Sequence, residues 1–174
     1  MKTKILLIGK TGQLGSVLIK DAPAFGFDIH APGDEELNLE KPETIRRAIL
    51  KTKPDILINA AAFNMVPRCE EEPELAMKIN FEAVTLLAKI CREGKIKFVT
   101  FGTDYVFDGE KRGAYLEDDK PNPLQAYGIS KLAGELAARN LHPDAAYVIR
   151  TSGLYGGKKG SPQKGNFVLN LLKE

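Results

Sequence analysis

The segment KILLIGKTGQLG, residues 4–15, constrains the fold more than any other part of the chain. KILLI (4–8) is a continuous apolar run, the pattern of a strand covered on both faces. It leads straight into Gly9, Gly12 and Gly15, and then into Gln13–Lys20, where Leu14, Val17 and Leu18 fall at helical spacing. In such a turn, glycines let the backbone fold tightly and let a pyrophosphate approach. The helix N-terminus offers that anion unpaired N–H groups and a positive dipole. The spacing is G-x-x-G-x-x-G rather than the commoner G-x-G-x-x-G, so the strand–turn–helix context carries the reading.

The rest of the chain repeats the alternation. Phe27–Ile29 reads as a short second strand, and Pro42 stands where a first-turn proline would open the helix Glu43–Leu50. DILINAAA (55–62) is a third buried strand running into small residues. Pro73 opens a long helical pattern, Glu74–Glu93, which Gly94 would end as the residue after the C-cap. KFVTF (97–101) is the fourth strand, 102–122 is irregular, Leu124–Arg139 is helical, and AYVIR (146–150) is the fifth strand. NFVLNLLKE (166–174) reads as a last helix after the linker-like KKGSPQKG (158–165). Strands alternating with helices predict an α/β fold: a doubly wound, Rossmann-type parallel sheet with helices on both faces. The expected strand order is 3-2-1-4-5, with the site at the carboxyl edge, and 174 residues suit one domain spanning 1–174.

Composition removes several function classes. With 25 basic and 23 acidic residues the net charge is only +2, so no strong field toward nucleic acid or a membrane is implied. The apolar runs are strand-sized, and the N-terminal one is too short for a signal peptide. Cys69 and Cys91 lack metal-type spacing and read as reduced packing thiols. A cytoplasmic protein is expected.

The chemistry sits in AYGISKLAGE (126–135). Tyr127 and Lys131 are one helical turn apart and share a face. A phenol titrates near ~10, and an ammonium one turn away favours phenolate and eases proton transfer. Tyr155 and Lys159 repeat the spacing, but in LYGGKKGSP, where glycines and a proline oppose a helix. Thr103, at the end of the fourth strand, is the best hydroxyl to hydrogen-bond a substrate carbonyl. Asp104 and Asp108 are read as turn formers. The residues after the second strand, His30, Ala31, Pro32, Gly33 and Asp34, meet neither the acidic rule for NAD nor the basic rule for NADP. Lys10 is a candidate for a 2′-phosphate.

GKTGQLG (9–15), PDILINAAA (54–62), EEPELAMKIN (71–80), GTDYVFDG (102–109), NPLQAYGISKLAGE (122–135) and IRTSGLYG (149–156) together resemble the extended short-chain dehydrogenase/reductases, and within them the dTDP-4-dehydrorhamnose reductases. GNFVLNLLKE (165–174) matches that family's next helix. The resemblance implies a dinucleotide, NADPH or NADH with NADPH slightly favoured, cradled by Gly9, Gly12, Gln13, Leu14 and Gly15. Asn38 and Leu39 would lie beside the adenine, and Ala60, Ala61 and Ala62 would line the channel. Thr103, Tyr127 and Lys131 match the catalytic set. Tyr127 would protonate the 4-keto oxygen of a nucleotide-activated sugar, which the resemblance implies is dTDP-linked. Lys131 would hold the ribose and lower the Tyr127 pKa, and Thr103 would orient the carbonyl. A homodimer is compatible with this reading.

Departures accompany the match. Gly102 replaces the family's usual Ser, Val66-Pro67-Arg68 replaces Val-Asp-Lys, and Gly153 replaces a Trp. Asn38 stands where an acid is usual. Family members continue for roughly another domain's worth of chain, so the substrate domain is expected to be absent here. Two other readings stay open: a sugar-nucleotide epimerase or dehydratase, and a non-catalytic regulatory subunit like the methionine adenosyltransferase beta subunit. The single Asp104 after Thr103 speaks against a dehydratase, and the intact Thr–Tyr–Lys set against a regulatory subunit.

Overall fold

Ile5, Leu6, Leu7 and Ile8 are all buried, so the strand they form needs apolar partners on both edges and cover on both faces. In the computed structural model, which describes residues 2–155, that strand is β1, Lys4–Ile8. It pairs in parallel with β2, Asp28–His30, on one side and with β3, Ile56–Asn59, on the other. β4, Lys97–Thr103, and β5, Ala146–Thr151, follow outward from β3. The five-stranded parallel sheet thus has the order 2-1-3-4-5.

The Rossmann-type architecture is as expected, but the expected order 3-2-1-4-5 is corrected. The physical reason lies in β2. It has only three residues, two of them exposed, and suits an edge better than an interior position. The apolar ILIN strand instead joins β1 directly, with Ile5 opposite Ile56 and Ile8 opposite Asn59.

Helix α1, Gln13–Asp21, follows the glycine turn. Helix α2, Pro42–Thr52, opens with the expected proline and presents Thr44, Ile45, Ala48 and Ile49 inward at helical spacing. One core joins Leu6, Ile8, Leu57 and Phe98 of the sheet to Ile45 and Ile49 of α2 and to the helices beyond β3. Those helices differ from expectation. Val66–Glu71 forms a short helix, α3, opened by Pro67. Six residues are too few for periodicity to announce. The long helix begins as α4, Pro73–Met77, passes through a π-helical segment, Lys78–Glu82, and continues as α5, Ala83–Gly94. Gly94 is its last helical residue, and the left-handed cap is Lys95, at φ 54°.

After β4, a 3₁₀ turn, Asp104–Val106, leads into a long loop and then α6, Ala126–Leu141. The two glycines of AYGISKLAGE let α6 approach its neighbours closely. A Cβ at Gly128 would lie 2.2 Å from the Tyr105 carbonyl oxygen, and one at Gly134 would lie 2.1 Å from the Asn80 carbonyl oxygen. The expected helix 166–174 and the stretch 158–165 lie outside the described residues. Among the described residues no helix is long and apolar enough to cross a membrane.

Gly134→Ala sets two effects against each other. Alanine favours helix by about 1 kcal/mol, whereas overpacking costs about 1–3 kcal/mol. The obstacle here is backbone of the π segment, which cannot swing aside. Net destabilisation by about 1–2 kcal/mol is expected in urea denaturation, while Gly113→Ala, where a Cβ would meet open space, stays within about 0.5 kcal/mol.

Candidate active site

The phosphate loop is shaped by two close approaches. Gly9 has φ +92°, and a Cβ there would lie 2.8 Å from Ala60 carbon and Ala61 nitrogen. A Cβ at Gly15 would lie 2.1 Å from the Gly9 carbonyl oxygen. Gly12 is looser, 3.4 Å from the same oxygen, and its N–H donates to it at 3.1 Å. Gly12 is the N-cap of α1 without a side-chain cap, so Gln13 and Leu14 begin a helix whose first N–H groups face the turn.

Beside the loop lies a cavity of about 210 Å³ bordered by Gly9, Asp34, Asn38, Leu39, Ala61 and Ala62. Asn38 is held there: its Oδ1 accepts from the Glu40 N–H at 2.8 Å, and its backbone N–H donates to Thr44 Oγ1 at 3.0 Å. Ala60 packs its backbone on Gly9 instead. Strand-end glycines, a bare helix N-terminus and an adjoining cavity fit a dinucleotide, with the pyrophosphate on the loop and the adenosine end in the cavity. Lys10 Nζ reaches the loop after β2, 3.4 Å from where a Gly33 Cβ would stand.

The second cluster forms where β4 ends against α6. Thr103 is buried; its Oγ1 accepts from the Tyr105 N–H at 3.2 Å and donates to Asp104 Oδ1 at 3.2 Å. Tyr127, the second residue of α6, hydrogen-bonds the Thr103 side chain and meets the Tyr105 ring edge-on, with centroids 5.7 Å apart. Lys131 is 8% exposed, and its Nζ donates to the Phe101 carbonyl at 2.6 Å. Burial pushes Lys131 down to about 8, against the upward pull of Glu135.

Tyr127 is raised above its ordinary value, chiefly by burial and further by the nearby Asp104 carboxylate, with the Thr103 hydrogen bond pulling the other way. The expected lowering by Lys131 is not met in this geometry, because that ammonium is turned to Phe101 and burial dominates. Of the second Tyr–Lys spacing, Tyr155 is 71% exposed, and Lys159 lies outside the described residues. Asp108 serves the loop, accepting from the Glu110 N–H, Tyr115 Oη and Asn122 Nδ2, which lower it to about 2. Cys69 and Cys91 are buried free thiols. Among the described residues no group of His, Cys, Asp and Glu could hold a metal.

Two supporting residues escaped the sequence. Asn80, buried in the π segment, donates from Nδ2 to the Phe63 carbonyl at 2.9 Å and to Ser130 Oγ at 3.0 Å, while its Oδ1 accepts from the Phe63 N–H at 2.9 Å. Ser130 Oγ in turn donates to the Tyr127 carbonyl at 2.8 Å. The loop after β3 and the helix bearing Tyr127 are thereby tied to one side chain. Glu70 of α3 accepts from the Ala126 N–H at 2.6 Å, capping α6 from 56 residues away. The available signals were an Asn inside a helical run, where it is a poor helix former, and a Gln in place of a local cap.

Residues 3–174 match the family model described as the RmlD substrate binding domain. The chain belongs to that family. The dTDP-4-dehydrorhamnose reductase of Escherichia coli is 38% identical over 98% of this chain and 57% of its own length. A probable low-salt glycan biosynthesis reductase of Haloferax volcanii is 36% identical over 86% of this chain and 53% of its own. The crystal structure of dTDP-4-dehydrorhamnose reductase from Bacillus anthracis in complex with NADP superposes with a TM-score of 0.91 at 31% identity, covering 99% of this chain and 59% of that one. The chain therefore spans about half the length of the curated relatives it matches.

Against the RmlD family pattern, the departures have different surroundings. At Gly102 a Cβ would lie 2.9 Å from Arg150 Cγ and 3.3 Å from Glu135 Oε2, so a Ser there requires Arg150 to shift. Among the described residues nothing lies within 4 Å of a Cβ at Gly153. Val66-Pro67-Arg68 opens α3, where Arg68 lies over the Phe63 ring at 5.0 Å and pairs with Glu72.

Removing Asn80 strands several buried partners at once, each at about 1–3 kcal/mol. Asn80→Ala is expected to lower stability by about 2–4 kcal/mol, and Ser130→Ala by about 1 kcal/mol, both read from urea midpoints at constant slope.

Proposed function

We propose that residues 1–174 form the coenzyme-binding domain of a reductase of a nucleotide-activated 4-keto-6-deoxy sugar. The reaction is reduction of dTDP-4-dehydrorhamnose to dTDP-rhamnose or a close relative, with NADPH or NADH as reductant and NADPH favoured. On this reading the substrate domain lies outside this chain, and a homodimer remains part of it. The observation that carries the reading is the convergence of Thr103, Tyr127 and Lys131 beside a phosphate loop, at the carboxyl edge where open α/β sheets bind ligands. Family membership supports it.

Gly9, Gly12, Gln13, Leu14 and Gly15 hold the pyrophosphate; Asn38, Leu39, Ala60, Ala61 and Ala62 border the adenosine end and the channel. Lys10 beside Gly33 favours the 2′-phosphate of NADPH. The bound nicotinamide supplies the hydride. Thr103 donates a hydrogen bond that orients the carbonyl. Tyr127, protonated at neutral pH by its raised pKa, gives its proton to the carbonyl oxygen as negative charge develops there. Lys131, with a pKa of about 8, is mainly charged at pH 7 and would hold the nicotinamide ribose.

Gly12→Val tests the loop, since the backbone there has room for a side chain that the pyrophosphate does not. NADPH fluorescence titration is expected to lose binding while circular dichroism stays unchanged; retained affinity sinks the assignment. In protein extended to the length of its relatives, Tyr127→Phe is expected to lower turnover about 10²–10⁴-fold with NADPH affinity kept. Near-normal turnover would falsify the proton-donor role. NADPH binding without reduction of any keto-sugar would return the chain to the regulatory reading.

A further inference from the structure

We propose that the pair formed by buried Glu135 and half-buried Arg150 is a positioning element for this reaction: Glu135 is the counter-charge that keeps Lys131 an ammonium, and Arg150 holds Glu135 in place. The inference rests on the reading of Lys131 as a member of the catalytic set.

Lys131 and Glu135 are one turn apart on α6 and share its inward face. Both line the same small pocket, about 10 Å³, together with Asn80, Thr100, Phe101 and Gly102. The surroundings of Lys131 are sparse in charge. Its own helix supplies Glu135 and the phenol of Tyr127, and β5 supplies Arg150, already engaged by Glu135. β4 offers the Phe101 carbonyl, and the π segment the neutral Asn80. Glu135 is the group that opposes the effect of burial on Lys131.

A carboxylate only 4% exposed needs partners of its own. Arg150 supplies them with a two-pronged grip: Nε donates to Oε2 at 2.9 Å and Nη2 to Oε1 at 2.5 Å. The guanidinium is fixed in turn by the Glu117 carbonyl, 3.3 Å from Nη1, and by the Phe107 ring beneath it at 5.1 Å. Arg139 adds only a long contact to Glu135, 3.8 Å, from the exposed side. A buried cation, its counter-charge and a clamped arginine thus run from α6 to β5 behind the proposed proton donor.

A purely structural clip between α6 and β5 would make the opposite prediction. Loosening such a clip admits water, relieves desolvation and moves Lys131 up toward its ordinary 10.5. Loss of a counter-charge moves Lys131 down.

The test is an NMR titration of the Lys131 side chain, assigned through its absence in Lys131→Met, in the wild-type chain and in Glu135→Gln. The isosteric amide keeps the size and removes the charge. A midpoint at lower pH than wild type is expected; an unchanged or higher midpoint overturns the proposal. Should Glu135→Gln not fold, Glu135→Asp, which withdraws the charge by one methylene, is expected to give a smaller downward shift, and an unchanged or upward shift is again fatal. The titration requires neither sugar nor coenzyme. A downward shift without keto-sugar reduction by protein extended to the length of its relatives would keep the counter-charge and remove the reductase reading, and reduction by that protein without a shift would do the reverse.

Discussion

The contact on which the rest depends is the seat of α6 on the π segment. Gly134 permits it sterically, since any side chain there would meet the Asn80 carbonyl oxygen. Asn80 fixes it chemically, because the same residue binds Phe63 in the loop after β3 and Ser130 on α6. A π turn lets one residue present its side chain and carbonyl where an uninterrupted α-helix would not, and such turns gather at functional sites. The result is that the small-residue channel after β3 and the Tyr–Lys face of α6 share one anchor. Glu70 then fixes the start of α6 from α3, one residue before Tyr127.

Once α6 is seated, the electrostatics follow from burial. Tyr127 and Lys131 are moved in opposite senses by the same cause: loss of water opposes the phenolate, raising one, and opposes the ammonium, lowering the other. Their titrations, nearly coincident for the free groups, are thereby moved apart, the lysine falling below the phenol. A phenol that keeps its proton at neutral pH, one helical turn from a lysine that keeps its charge, is the state that the proposed proton donor would require. The preorganisation comes from packing more than from a direct Tyr–Lys contact, since Lys131 directs its ammonium to the Phe101 carbonyl.

What was legible in the sequence was whatever physics demands locally. The phosphate loop combines an apolar run, glycines at positions where a Cβ would collide, and a helix start, each readable within a dozen residues. The Tyr–Lys pair was legible by helical spacing, which the structure places on α6. Strand order was not legible, because it depends on which edge of β1 receives ILIN, a choice made by the weakness of a three-residue β2. The π segment was hidden because an extra residue in one turn barely disturbs the apolar pattern of Glu74–Glu93. The cap at Lys95 was misplaced by one position because Gly94 offers the more obvious left-handed residue, yet Lys95 adopts that conformation at φ 54°. Glu70 and Asn80 act across 56 and 50 residues, beyond the reach of any local pattern.

The departures from the family pattern separate on the same physical grounds. A side chain at Gly153 would meet no described residue within 4 Å. Gly102 is different, because its missing Cβ is filled from behind by the stem of Arg150 and the carboxylate of Glu135. A hydroxyl at that position would compete for room with the pair that flanks Lys131. The chain thus has one hydroxyl fewer beside Thr103 and an arginine–carboxylate pair drawn close against the strand end. Both sides of that exchange bear on the same few ångströms of β4, between the carbonyl that binds Lys131 and the hydroxyl that binds Tyr127.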